Sequence, residues 1–383
     1  MCIRDSITNV RTPRFTFGNI PADVLSVTVT LDGQTTVVQP QSDGTYSFMP
    51  PVALADNSYE LVVTVTDTAG NTRNSSLAFE VDTTTSVNNI TLINDTGDSA
   101  ADNLTNASQP KFLVNTPADV QTVVATLGGQ PCSITRTSDG VWEVTAPTLS
   151  TSGDYTLVVT ATDIAGNQAT SSKTITFDNQ ISLPAIALAN GEDTGFDAND
   201  RLTMNTRPSF VITNVDADVT RMLVTLKGNT VEVTKNASGA WIYRPTSDLA
   251  DDTYTLQVEV RDAAGNTRSN TMDFVVDTQV SAPVIDMLAT SDTGDSSSDN
   301  KTRSTTPQFS FSHLDADVHT LKVTLNNVTY NIVKDAGGNW SWTAPTLTDG
   351  SYKLVASATD KAGNVANAEI TFVVDTEVTS TMW

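Results

Sequence analysis

The chain has 383 residues, 38% of them apolar, and a formal net charge of −23. That charge argues against nucleic acid as a partner, and no apolar run approaches the roughly 20 residues that a helical membrane span requires. Of the 44 acidic residues 8 are Glu, which leaves 36 Asp. Acidity for solubility alone would draw on both types. Aspartate is the residue of turns and metal loops, because its short carboxylate bonds nearby backbone and loses less rotamer freedom than glutamate when fixed beside a cation.

Two cysteines, Cys2 and Cys132, imply no disulfide framework. An extracellular module without disulfides must gain rigidity another way, and metal is the obvious candidate. Met1 to Arg4 fit no column of the pattern described next and lack the apolar core of a signal peptide, so the sequence reads as a fragment.

One pentapeptide recurs along the chain: DTAGN at Asp67, DIAGN at Asp163, DAAGN at Asp262 and DKAGN at Asp360. Their glycines, Gly70, Gly166, Gly265 and Gly363, lie 96, 99 and 98 residues apart. This period predicts four domains, over 1–84, 85–180, 181–279 and 280–383, each long enough to bury its own core.

In the second repeat the pattern predicts a strand over 88–93, a polar loop from Asn94 to Gln109, and a strand over 111–115. Strands near 120–127, 130–137, 141–146, 154–162 and 170–178 follow, each bounded by Gly, Pro, Asn or Asp. The third of these seven alternates with period two, and its column reads Val27, Val29 and Leu31 in repeat one. The same column is Met222, Val224 and Leu226 in repeat three, and Leu321, Val323 and Leu325 in repeat four. Two aromatic columns accompany it. Tyr46, Trp142, Trp241 and Trp340 each follow a glycine by two residues, while Tyr59, Tyr155, Tyr254 and Tyr352 open the sixth strand as a tyrosine corner would. The expected fold class is all-β: four tandem immunoglobulin-like β-sandwich domains in an extended rod.

Strands that run alternately up and down sort the loops between two poles. At the C-terminal pole the first loop carries the pairs Asp95 and Asp102, Asp193 and Asp200, and Asp292 and Asp299, where the seventh strand also ends at Asp82, Asp178, Asp277 and Asp375. At the N-terminal pole stand Asp23, Asp119, Asp218 and Asp317 before the third strand, with the DxAGN residues Asp67, Asp163, Asp262 and Asp360. Stacking two repeats brings the sets together, so the second junction gathers Asp95, Asp102, Asp178, Asp218 and Asp262. Two carboxylates about 5 Å apart repel by roughly 3 kcal/mol at an effective dielectric of 20. A hard cation reverses the sign, and Ca²⁺ suits mixed carboxylate, carbonyl and water ligands better than Mg²⁺. Zn²⁺ lacks its usual nitrogen and sulfur ligands. Asp43 and Asp139 sit in SDG hairpins, where a turn suffices as explanation; Asp98 and Asp295, matched by Phe196 in repeat three, are weak ligands by position.

These residues resemble the bacterial Ig-like repeats of giant surface adhesins and biofilm proteins exported by type I secretion. The likeness rests on DTGD with Asp102 and Asn103, on Pro-Ala-Asp or Asp-Ala-Asp before the third strand, on Gly-x-Trp, on DxAGN, and on the FEVDTT and FVVDT endings. It implies an extracellular, cell-surface stalk stiffened by Ca²⁺ at the junctions. Its partners would be the flanking Ig-like repeats and a host, biofilm or surface ligand reached through other domains. The chain departs from the pattern in three places. Repeat one starts near Asp5 without the first strand and DTG turn, Asp216 and Asp315 have only prolines as counterparts, and repeat two ends Phe-Asp-Asn instead of Val-Asp-Thr.

Catalysis would need convergent acid, base or nucleophile groups, yet histidine is confined to repeat four and no GxSxG or HExxH occurs. The expectation is therefore no enzyme. The alternative to a stalk, a glycan-, surface- or ice-binding repeat, would present flat outward ranks of Thr or Trp.

Overall fold

The structure, a computed structural model, describes residues 7–378. Cys2 and the terminal residues Met1 to Arg4 lie outside them, as does Asp5. All regular elements among the described residues are strands, and no helix is long and apolar enough to cross a membrane. The chain forms two compact units, one of the residues up to Gln180 with Ala263–Asn266, the other of Ile181–Asp262 with the residues from Thr267 on.

Repeat two shows how each sandwich is made. One sheet has the order Ser133–Ser138, Val141–Thr145, Lys111–Asn115, Asn89–Leu92. The facing sheet runs Gln130–Pro131, Val120–Leu127, Gly153–Asp163, Gln168–Phe177, Leu104–Thr105. Alternate residues turn inward, so Val123, Ala125 and Leu127 pack with Leu157, Val159, Phe112 and Phe177 in one buried cluster. Each such Val, Leu or Phe contributes about 1.5–3 kcal/mol by leaving water. The expected alternating columns of repeats one, three and four are likewise buried, from Val27, Val29 and Leu31 to Leu321, Val323 and Leu325.

The tyrosine corner is present in all four repeats. Each hydroxyl donates to the carbonyl four residues upstream, Tyr59 to Ala55 at 2.9 Å and Tyr352 to Thr348 at 2.7 Å, with Tyr155 and Tyr254 between these limits. Tyr46, Trp142 and Trp241 are buried and Trp340 is half-buried against its core. Trp142 Nε1 donates to Thr116 Oγ1 at 3.1 Å, and Arg136, Lys235 and Lys334 lie over the tryptophan faces.

Two features depart from the expected strands. The polar loop contains a two-residue strand, Leu104–Thr105, parallel to the end of Gln168–Phe177 and repeated as Ile7–Thr8, Leu202–Thr203 and Lys301–Thr302. Two residues are too few to register as periodicity. The fourth strand of repeat two changes sheets: Gln130–Pro131 pairs with Val120–Leu127, and Ser133–Ser138 with Val141–Thr145. Cys132 N–H still donates to the Ala125 carbonyl at 3.0 Å before the strand crosses, whereas in repeats three and four Asn229–Glu232 and Val328–Ile332 stay on the first ladder.

The Phe-Asp-Asn ending also has a structural counterpart. Thr83, Thr278 and Thr376 donate their hydroxyls to Asp56, Asp251 and Asp349, at 2.7–2.8 Å. Repeat two reverses the roles, with Ser152 Oγ against Asn179 Oδ1 at 2.9 Å. Both versions fasten the start of the linker to the loop before the sixth strand.

Candidate metal centres

The third strand of every repeat begins with a register shift, between Val24 and Ser26, Val120 and Thr122, Val219 and Arg221, and Val318 and Thr320. Ahead of the last three shifts Val120 pairs with Asp163, Val219 with Asp262 and Val318 with Asp360. Asp119 and Asp317, one residue earlier, are thereby held beside the DxAGN turn. Ile164 N–H donates to the Asp119 carbonyl at 3.2 Å, and Lys361 N–H to that of Asp317 at 3.1 Å. Local pairing alone therefore joins two of the acidic columns.

The third column comes from the preceding repeat. In the first unit one carboxylate oxygen from each of Asp82, Asp119 and Asp163 lies within 4.8 Å of the others. The second unit repeats the arrangement with Asp277, Asp317 and Asp360. Asp163 and Asp360 are buried, at 3% and 0% exposure, whereas Asp119 is open to solvent.

The Asn of DxAGN fixes this geometry, a role that the repeat of the pentapeptide did not by itself reveal. Asn364 donates its backbone N–H to Asp360 Oδ1 and its side-chain amide to Oδ2, both at 2.8 Å. That amide also donates to the Asp277 carbonyl, at 2.8 Å. Asn167 does the same for Asp163 and the Asp82 carbonyl, at 2.8–2.9 Å. One asparagine thus aligns an acid of its own repeat and grips the seventh strand of its neighbour.

The loop aspartates form a second type of arrangement. Asp193 accepts from Arg201 N–H through Oδ2 at 3.2 Å, and Asp200 from Leu202 N–H at 3.0 Å. Asp95 with Asp102 and Asp292 with Asp299 make the equivalent bonds, at 3.0–3.2 Å. The left-handed backbone of Asn103, Arg201 and Asn300, with φ of 60–64°, aims these amides inward. In all three loops the other oxygen, Oδ1 of Asp95, Asp193 and Asp292, is buried without a hydrogen-bond partner. An orphaned anionic oxygen is costly unless something positive meets it. Asp277, Asp317 and Asp360 make the 4.8 Å trio, and the loop of Asp193 and Asp200 packs beside it, Thr194 Oγ1 donating to the Ala362 carbonyl at 2.7 Å.

The remaining expected positions are accounted for separately. Asp178 follows Gln168–Phe177 and accepts from Ser152 Oγ and Gln180 N–H, each at 3.1 Å. Asp218 precedes Val219–Leu226, and Asp262 ends Asp252–Asp262. Asp375 follows Val365–Val374 and accepts from Glu377 N–H at 3.2 Å. Asp216 and Asp315 do other work: each accepts from a linker amide, Ser182 and Ser281 respectively, the latter at 2.6 Å. Asp43 is a turn former, receiving both the N–H and the hydroxyl of Thr45.

The electrostatics follow from this crowding. Burial, then repulsion from Asp163 and Asp119, pushes the Asp82 carboxyl above its ordinary range, although the Thr84 N–H opposes the shift. Burial and the charges of Asp360 and Asp317 raise Asp277 likewise, against the Gln279 N–H. Asp95 and Asp193 are raised by burial and by their partners Asp102 and Asp200. Asp315 is lowered, because Ser281 donates to its charged form.

Outward threonines bond one another across strands, as Thr160 does with Thr170 at 3.0 Å and Thr156 with Thr174 at 3.1 Å.

The chain belongs to the bacterial Ig-like domain family, which matches it four times, over residues 3–83, 84–179, 180–278 and 279–376. It is all-β and consists of four tandem Ig-like domains. No curated protein matches the sequence. Similar solved structures include a tetra-tandem repeat from the extending region of a large adhesion protein, at 21% identity over 97% of each chain with a TM-score of 0.38. Another is a Ca²⁺-stabilized adhesin with which an Antarctic bacterium reaches out and binds ice, at 23% identity over 96% of this chain and 95% of that one, TM-score 0.35. A third belongs to a 1.5-MDa bacterial ice-binding adhesin, at 20% identity over 77% of this chain and 98% of that one, also at 0.35.

Proposed function

We propose that the chain is an extracellular spacer of a bacterial surface adhesin, stiffened by Ca²⁺ bound where successive Ig-like repeats meet. The observation that carries this reading is the recurrence, in both units, of three carboxylates from the same three sequence columns within 4.8 Å of one another. Three anions at that spacing repel by about 3.5 kcal/mol per pair at an effective dielectric of 20. Ca²⁺ binds oxygens at about 2.3–2.6 Å, so ligands across one ion stand up to about 5 Å apart. The trios are of a size for such an ion as they stand, and they contain only hard oxygen donors.

Asp82, Asp119 and Asp163 would hold the ion of the first junction, and Asp277, Asp317 and Asp360 that of the third. Asp178, Asp218 and Asp262 occupy the same columns at the second, by sequence equivalence alone, and Asp375 continues the strand-end column. The buried, unpartnered Oδ1 atoms of Asp95, Asp193 and Asp292 support a further cation at each loop, with Asp102, Asp200 and Asp299 as co-ligands. When bound, Ca²⁺ supplies charge neutralisation and a fixed inter-repeat angle. One of the similar structures is of an adhesin described as Ca²⁺-stabilized; the reading for this chain rests on its own carboxylates.

Small-angle scattering in calcium and in excess chelator tests the proposal. A larger maximum dimension and a higher melting temperature in calcium are expected, and both should fall when Asp82 and Asp163 are replaced by Asn. A profile and melting temperature indifferent to calcium would overturn the reading.

A further inference from the structure

Asparagine followed directly by glycine occurs once in the chain, at Asn190 and Gly191. The pair forms the centre of a turn that follows the strand Ala185–Leu188 and leads into Asp193. One main-chain bond closes this turn, from Glu192 N–H to the Ala189 carbonyl at 2.9 Å. Gly191, at φ 80°, supplies the left-handed backbone of the second central position. Both residues are exposed and line an open groove with Asp193 and Arg201, so water reaches them.

Among the described residues, neither the Asn190 side chain nor Gly191 N–H has a hydrogen-bond partner within the protein. The space where a Gly191 Cβ would stand is open, with no atom within 4 Å. The sibling loops differ on both counts. Repeat four makes the same turn, Ser291 N–H donating to the Leu288 carbonyl at 2.6 Å, but with Ala289 and Thr290 at its centre. In repeat two Asn94 stands before Asp95 and its amide is tied at both ends. Its Nδ2 donates to the Gln109 carbonyl at 3.1 Å, and its Oδ1 accepts from Lys111 N–H at 2.8 Å.

We infer that Asn190 is a site of spontaneous deamidation, which places a new acid in the loop that carries Asp193. The Gly191 nitrogen gives its proton to solvent base and attacks Asn190 Cγ. The N–Cγ bond forms, the Cγ–Nδ2 bond breaks, and ammonia leaves with a proton taken from water. Water then opens the resulting five-membered imide at one of its two carbonyls. Cleavage of the new N–Cγ bond gives Asp; cleavage of the original peptide bond gives isoaspartate, whose main chain runs through Cγ. The balance is one water consumed and one ammonia released, with no oxidant or reductant. Glycine is the neighbour that allows this, because it has no Cβ to hinder the approach of its nitrogen. Ring closure requires Asn190 to leave the turn, which breaks a single main-chain bond. A hydrogen bond of ordinary net strength slows such an opening by no more than about tenfold. The product carries a further negative charge beside Glu192 and Asp193, and in the isoaspartate form its main chain is longer by one methylene.

The test incubates the folded full chain at mildly alkaline pH and follows the peptide containing Asn190 by mass spectrometry, with fragmentation that separates Asp from isoaspartate. A synthetic peptide with the sequence of residues 186–195 is incubated beside it. Both products are expected at Asn190, at a rate that rises with pH and stays within about tenfold of the free peptide's. Asn94 should convert at least about tenfold more slowly, since its amide is tied. Gly191→Ala should slow conversion at least about fivefold in chain and peptide alike, the peptide showing that the added Cβ and not a changed turn is responsible. Asn190→Gln should show no conversion over the same period, because its ring would have six members. Conversion in the folded chain more than about tenfold slower than in the peptide, conversion at Asn94 as fast as at Asn190, or conversion indifferent to Gly191→Ala would each overturn the inference.

Discussion

The acidic trio recurs at the junction between repeats one and two and at that between repeats three and four, and at the latter it contrasts with the loop that packs beside it. At the latter, the loop of repeat three reaches the next domain: Thr194 Oγ1 donates to the Ala362 carbonyl at 2.7 Å, and Phe196 stacks on His319 with ring centroids 4.1 Å apart. Gly195, at φ 88°, sits so close that a Cβ would lie 1.9 Å from the Lys361 carbonyl oxygen. At the former, Asp82, Asp119 and Asp163 stand together and Asn167 bonds the Asp82 carbonyl. The trio fixes an angle between domains through charge, the loop of repeat three through backbone packing of Thr194 and Gly195 on the 361–364 turn.

Calcium removal should produce the largest effect. At calcium a hundredfold above the dissociation constant each site is worth about 2.7 kcal/mol. Chelator should loosen both the piece 1–180 and the piece 181–383, as read by the change in maximum dimension; an unchanged dimension in either would break the parallel between the trios. Next, Gly195→Val combines a steric clash with a left-handed backbone costing about 1–3 kcal/mol. It should make the 361–364 turn susceptible to protease even in calcium, and leave the first junction as it was.

The response to pH sharpens the electrostatic side. Asp82 and Asp277 have raised folded values, so without metal their favourable contribution is complete below the unfolded value of about 3.9 and is lost as pH rises through the folded one. Metal-free junctions should tighten on acidification, while calcium affinity, measured by titration calorimetry, should fall over the same range. Asp315 runs oppositely: its contribution is present above the unfolded value and lost as pH falls through its lowered folded one. The smallest effect belongs to Phe196→Ala, about 0.5–1 kcal/mol from the ring contact with His319, detectable as faster exchange at that junction only.

Much of this was legible in the residues. The period of DxAGN announced four domains, alternation placed Val27, Val29 and Leu31 inward, and the tyrosine column announced its corner, because these depend on short-range geometry that recurs along the chain. The aspartate columns were visible for the same reason. Their hydrogen bonds were not: Asp193 and Asp200 accept from amides of their own loop, which spacing along the chain does not show. Nothing in the pattern gave Asn167 and Asn364 a role, since a side chain that bridges two repeats leaves no mark in either one alone. Leu104–Thr105 was too short to show any pattern.

Sequence by itself determined the number of repeats, their β-sandwich class and the identity of the acidic columns, since repetition and period-two burial are properties of order along the chain. Tertiary structure decided which carboxylates stand within 4.8 Å and which oxygens are buried without a partner. Those depend on register shifts and on the meeting of residues about 40 to 90 positions apart, such as Asp277 with Asp317 and Asp360, distances over which no local pattern carries information.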